Sequence, residues 1–196
     1  CVAEGQQRET RKKKRRKQAP FAWVNEFPAK RADALHHATF RSKLVGEEVG
    51  YVVLFPEGYE QHPERRYPVV YYLHGGRPGN EMKSIKLADH LIELRKKHGI
   101  APCIYVFVNG GPVSHYNVPD RIGVPGQPDA RGADVFIEEL IPHIDKTYRT
   151  IADRSGRGLE GFSQGGRGTM RLSLRYPDLF SSVAAGGGGY ATEERI

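Results

Sequence analysis

Five residues in the C-terminal part of the chain have the types and spacing for acyl chemistry. Gly161-Phe162-Ser163-Gln164-Gly165 fits the pattern G-x-S-x-G, in which a serine stands at a sharp turn from a strand into a helix. Glycines on either side allow strained torsions and a close strand-helix approach, so the hydroxyl clears the sheet and can attack a carbonyl carbon. The pattern arises by chance in about one chain in ten of this composition. Its weight therefore comes from its surroundings. A strand-like run, 157–160, precedes it, and a helix-like stretch continues to Tyr176 before Pro177. The start of that helix brings the Gln164 amide and the positive end of the helix dipole beside the hydroxyl. Stabilising the oxygen of a tetrahedral intermediate takes a second backbone donor. His74-Gly75-Gly76-Arg77-Pro78-Gly79 follows another strand-like run, so the expected oxyanion donors are the amides of Gly76 and Gln164.

Such a turn needs a framework, and hydrophobic periodicity predicts one. Pro20 to Ala38 reads as an irregular lead-in. Val49, Tyr51, Val53 and Phe55 alternate through a strand at 47–55, stopped by Pro56-Glu57-Gly58. Tyr67 to Leu73 and Ile104 to Val108 are short apolar runs of the kind buried on both faces. Between them, Ser84 to His98 is amphipathic, with a basic end and Gly99 as its stop. Ala133 to Tyr148 carries Ile137, Leu140, Ile141, Ile144 and Tyr148 on one face, with a kink or break expected at Pro142. A last strand is expected at 181–185. This alternation predicts an α/β domain with a mostly parallel sheet and helices on both faces.

Three segments then resemble one family beyond the serine. They are Tyr67-Pro68-Val69-Val70-Tyr71-Tyr72-Leu73-His74-Gly75-Gly76, the stretch from Phe136 to Arg149 containing Leu140-Ile141-Pro142-His143-Ile144-Asp145, and Gly158-Leu159-Glu160-Gly161-Phe162-Ser163-Gln164-Gly165-Gly166 running on to Arg175-Tyr176-Pro177-Asp178-Leu179-Phe180. Over about residues 38–190 the chain resembles the esterase D / feruloyl-esterase-like family of the α/β-hydrolase superfamily. The resemblance implies hydrolysis of carboxylic esters, small or carbohydrate-linked, through an acyl-enzyme on Ser163, with no metal or organic cofactor.

The chain departs from that family after the serine. Triads on this fold run serine, acid, histidine, yet none of the 33 residues after Ser163 is histidine. Asp178, Glu193 and Glu194 are not assigned as the acid. The expectation is a hydrolase domain, 32–196, incomplete at its C-terminal end, with the last strands and both remaining triad residues outside the chain. Without the base, turnover should fall by on the order of 10⁶, so the chain is expected to be nearly inactive, with an unpaired sheet edge near 181–185. His74 is read as supporting its loop and His143 as structural or exposed. The loop from Asn109 to Arg131 leaves a strand at the edge where such sheets bind ligands, so His115, Tyr116, Asn117 and Asp120 are candidates for a substrate pocket, beside their reading as ordinary loop residues.

Composition limits the alternatives. The 196 residues hold 23 Gly without a triplet period, two Cys, and no apolar run long enough to span a membrane. Residues 1–31 hold ten basic and three acidic side chains, so the net +7 resides there and 32–196 balance at 20 of each sign. Residues 1–31, with the Arg11 to Lys17 run, therefore read as a disordered, solvated basic tail or linker, with nuclear import or polyanion binding by the run as alternatives, and charge gives no ground for nucleic-acid binding by the folded part. No apolar core of a secretory signal follows it. Cys1 as a lipid-carrying residue and a Cys1–Cys103 disulfide are weighed below plain truncation and a buried thiol at Cys103. The family has exported and cytosolic members, and the reading leans to a location outside the cytoplasm. Oligomeric state is not read. Rival functions are acyl transfer to a sugar hydroxyl on the same fold and a non-catalytic, hydrolase-like binding protein.

Overall fold

The apolar runs build one six-stranded sheet. A computed structural model describes residues 20–28, 34–76, 78–112 and 131–188. Strands β1 (Leu35–Arg41), β2 (Glu48–Leu54), β3 (Val69–Leu73), β4 (Ile104–Val108), β5 (Arg157–Phe162) and β6 (Ser182–Gly186) lie in the order β1-β2-β4-β3-β5-β6. β2 runs antiparallel to both its neighbours, while β4, β3, β5 and β6 pair in parallel. Two apolar clusters, one on each face, make the core. Tyr71, Leu73, Ile104, Val106 and Leu159 pack under Phe136, Leu140, Ile144 and Leu172. Val52, Leu54, Tyr105 and Phe107 pack with Ile85 and Ala88.

Helix α1 (Leu87–His98) ends where the sequence predicts, with Gly99 at φ 59° returning its N–H to the Arg95 carbonyl. The next helical run is not uniform. It comprises α2 (Gly132–Asp134), a π-helical stretch Val135–Leu140 and α3 (Ile141–Thr147). The break expected at Pro142 takes this form: the Ile141 N–H reaches back five residues to the Phe136 carbonyl, and Pro142, which has no N–H to give, falls in the first turn of α3. At the far end of α3, Arg157 Nη2 lies 2.5 Å from Asp145 Oδ2, and Thr150 donates to the other oxygen at 2.6 Å, tying the helix to the start of β5.

Two readings are corrected. β1 occupies part of the stretch read as an irregular lead-in and extends beyond it. Only Leu35 and Phe40 of its seven residues are buried, so this edge strand lacks the alternation that reveals β2. The folded unit also begins before Ala32. Trp23 is buried in the core with Phe21 packed edge-on at 5.0 Å, and its carbonyl accepts the Gly50 N–H at 2.8 Å. Residues 1–19, which include the basic run and Cys1, lie outside the described residues. Cys103 is a free, half-buried thiol. No helix among the described residues is long and apolar enough to cross a membrane.

Helix α4 (Gln164–Arg175) offers a direct check of this packing, because Leu172 is fully buried and Leu174 is 75% exposed. Leu172→Ala is expected to lower unfolding free energy by about 2–5 kcal/mol, and Leu174→Ala to change it by no more than about 0.5 kcal/mol, both read from urea denaturation.

Candidate active site

The turns that carry the candidate residues meet because their strands are neighbours. β3 and β5 pair in parallel with Leu73 opposite Gly161, so the chain leaves both strands at the same sheet edge. β4 lies on the other side of β3. The connections from β3 and β5 therefore diverge here, the kind of crevice where open α/β sheets bind ligands.

Ser163 is the one non-glycine residue with positive φ among those described, at φ 57° and ψ −115°. Such a backbone costs on the order of 1–3 kcal/mol, and the surroundings hold it. The Ser163 N–H donates to the Gly186 carbonyl at 2.8 Å, and its carbonyl accepts the Arg167 N–H at 3.1 Å, opening α4. Serine is a favoured helix cap, yet its hydroxyl makes no capping bond here. The oxygen is not committed to the helix.

Glycines make the turn possible by close approach. A Cβ on Gly165 would fall 1.7 Å from the Leu73 carbonyl oxygen, and one on Gly161 would fall 2.4 Å from that of Gly165. The start of α4 thus presses on the end of β3. The loop after β3 is equally near: a Cβ on Gly75 would lie 3.0 Å from the Phe162 carbonyl oxygen and 3.1 Å from Ser163 Cβ. Gly76 follows at φ 73°, and Gln164 is the first residue of α4. Ser163, Gly76 and Gln164 therefore belong to one locality. The candidates His115, Tyr116, Asn117 and Asp120 lie outside the described residues, as do Glu193 and Glu194. Asp178 is exposed in the turn after α4.

His74 is 2% exposed, and both ring nitrogens are engaged. Nδ1 donates to the Gly75 carbonyl at 3.0 Å, and Nε2 accepts the N–H groups of Gly110 at 3.1 Å and Asn80 at 3.3 Å. Burial pushes its pKa down from 6.5 to about 4, helped by the Lys83 charge and opposed by the Gly75 carbonyl. A neutral imidazole so occupied fixes a loop and is not a general base at neutral pH. Lys83 Nζ donates to the Pro78 carbonyl at 2.5 Å and lies 3.6 Å from where a Gly76 Cβ would be. Burial lowers its pKa as well. His143 is remote: its Nε2 shares a 2.9 Å bond with the Tyr51 hydroxyl, and its ring stacks on Phe40.

Sequence reasoning missed Asn109, Asn80 and Glu81. Asn109-Gly110-Gly111 carried a signal, but only as the end of a strand. Beside the serine turn a cleft of about 360 Å³ opens between Tyr72, Glu160, Phe162 and Ala184. A cavity of about 410 Å³ between Phe55, Tyr59, Ile92 and Arg95 sits at the opposite sheet edge, where β2 ends and β4 begins, away from this chemistry. No cluster of metal-ligating side chains occurs among the described residues.

The family model described as "Putative esterase" matches residues 42–190. The chain belongs to this esterase family. Among curated relatives, an esterase of Mycobacterium tuberculosis is 30% identical over 155 residues, 79% of this chain and 32% of that protein. An endo-1,4-beta-xylanase/feruloyl esterase of Xylanibacter ruminicola is 33% identical over 183 residues, 86% of this chain and 24% of that protein. Of solved structures, a ferulic acid esterase superposes with a TM-score of 0.62 at 30% identity, covering 74% of this chain and 56% of the other. The ferulic acid esterase of Anaeromyces mucronatus, in complex with ferulic acid, gives 0.62 at 24% identity, covering 87% and 64%. The fold of this esterase-family chain is that of the α/β-hydrolases. It spans a third or less of those curated relatives.

The His74 bonds generate a pH prediction. In the unfolded chain the ring takes up a proton near 6.5, whereas in the fold it stays neutral down to about 4. This contribution to stability is complete above 6.5 and is lost as pH falls from 6.5 to 4, by about 3 kcal/mol. His74→Asn should remove that part of the pH dependence in urea titrations, and an unchanged slope would contradict the assignment.

Proposed function

We propose that this chain supplies the nucleophile and the oxyanion hole of a carboxylic-ester hydrolase. The observation that carries the reading is the Ser163 backbone, held at positive φ with its side chain beside the loop after β3. Ser163 Oγ attacks the ester carbonyl carbon while a general base takes its proton. The carbonyl oxygen becomes an anion that accepts N–H bonds from Gly76 and Gln164. The C–O bond to the alcohol then breaks, the alcohol leaves with the proton, and the acyl group remains on Ser163. Water, deprotonated by the same base, attacks the acyl-enzyme, and the acid departs.

The base and its orienting acid come from outside the described residues. In our reading they are a histidine and a carboxylate, and without them turnover on Ser163 is slow. Relatives named feruloyl esterases support an aromatic acyl group carried on a sugar hydroxyl as the substrate class. No cofactor takes part in these steps.

In its full natural length the protein should react with a fluorophosphonate to give one adduct, on Ser163, and Ser163→Ala should abolish labelling and lower aryl-ester hydrolysis by on the order of 10⁶. Hydrolysis that survives Ser163→Ala would overturn the mechanism. Absence of both labelling and hydrolysis would favour the non-catalytic binding protein.

A further inference from the structure

A buried carboxylate stands behind the loop that carries Gly76. Glu81 is 1% exposed, and its two oxygens accept four donors. Oε1 accepts the Asn25 N–H at 2.8 Å and faces His37 Nε2 at 3.2 Å, while Oε2 accepts Asn25 Nδ2 at 2.8 Å and Asn109 Nδ2 at 3.0 Å. Gly50 leaves the space, since a Cβ there would fall 2.3 Å from Oε1. No lysine or arginine is among these partners. A carboxylate is retained in such a place when its acceptors satisfy donors that would otherwise be stranded.

Those donors belong to separate segments. Asn25 is in the lead-in, His37 on β1 and Asn109 at the end of β4. Asn109 passes the constraint on. Its Oδ1 accepts the Gly111 N–H at 3.0 Å, the Gly110 N–H reaches His74 Nε2 at 3.1 Å, and the Gly79 N–H reaches the Gly111 carbonyl at 2.7 Å. A Cβ on Gly79 would fall 2.4 Å from Asn109 Oδ1, so the contact is tight. From the other side, Asn80 donates its N–H to His74 and its Nδ2 to Asn25 Oδ1 at 2.9 Å. The segment from His74 to Asn80 is thus fastened at both ends to the 109–111 turn, and Glu81 fixes the asparagines on which that fastening depends.

We propose that Glu81 is a positioning residue for the oxyanion loop, its carboxylate holding Asn109 and Asn25 so that the Gly76 amide keeps its aim at the oxygen formed above Ser163. This rests on the reading of Ser163 and Gly76 given above. Glu81→Gln separates positioning from plain electrostatics. Loss of a negative charge near a developing anion would speed the reaction, whereas an amide that presents N–H groups to existing donors loosens the loop and slows it.

The test follows fluorophosphonate labelling of the full-length natural protein as a function of probe concentration, with amide hydrogen exchange in parallel. For Glu81→Gln the maximal labelling rate should fall roughly 10- to 100-fold, with the half-saturating concentration and the final stoichiometry unchanged, and exchange at Asn80 and Gly110 should speed up. A merely structural role would lower the labelled fraction and leave the rate of the folded molecules alone. Asn25→Ala, which at a half-buried position removes one donor to Glu81 and the acceptor of the Asn80 Nδ2 bond, should change rate and exchange in the same direction, by roughly three- to tenfold, and carries the test if Glu81→Gln does not fold. An unchanged or increased rate, or unchanged exchange at Asn80 and Gly110 with the parent protein labelled, overturns Glu81 alone. A parent protein that is not labelled, or that is labelled equally as Ser163→Ala, overturns the serine reading and the role of Glu81 with it.

Discussion

The site depends on a steric constraint between two backbones. Where β3 and β5 end side by side, the Gly165 Cα presses so closely on the Leu73 carbonyl that no side chain fits between them. This contact sets α4 at the end of the sheet and forces the chain through Ser163 in a backbone conformation that only glycine adopts easily. A turn that relaxed would move the serine away from the loop after β3. The strain is small beside the burial on both faces of the sheet, where Tyr71, Leu73, Val106 and Leu159 on one side and Val52, Leu54 and Phe107 on the other are sealed almost completely.

A second layer of polar structure supports the first. The loop after β3 is fixed through a neutral imidazole, two asparagines and a buried carboxylate, hydrogen-bonded to one another, to backbone groups, to Asn25 and to the His37 ring. Networks of this kind are costly when partly satisfied and rigid when complete. Their completeness ties the lead-in segment, distant in sequence, to the geometry beside the serine.

The serine turn, the glycine loop and most of the strands are legible in the sequence, since each is written in a local pattern: G-x-S-x-G, a glycine pair after a run of β-formers, apolar runs of five to seven residues. What escapes is nonlocal. β1 has too few buried positions to show a period of two, and the burial of Trp23 depends on β2 and on the Asn109 side chain, which donates to its carbonyl at 3.1 Å. Glu81 reads in the sequence as one more charged residue near a helix start. Only the convergence of Asn25, His37 and Asn109 on it reveals a buried role. The π-helical stretch before Pro142 has a local cause, but a proline predicts that a helix must yield and not the form the yielding takes.

The most direct measurement of the central claim is a crystal structure of the full-length protein after reaction with a phosphonate ester analogue. Phosphorus is expected bonded to Ser163 Oγ, with one phosphonyl oxygen about 2.7–3.1 Å from the backbone nitrogens of both Gly76 and Gln164. An adduct on another residue, or a phosphonyl oxygen turned to solvent away from those two amides, would contradict it.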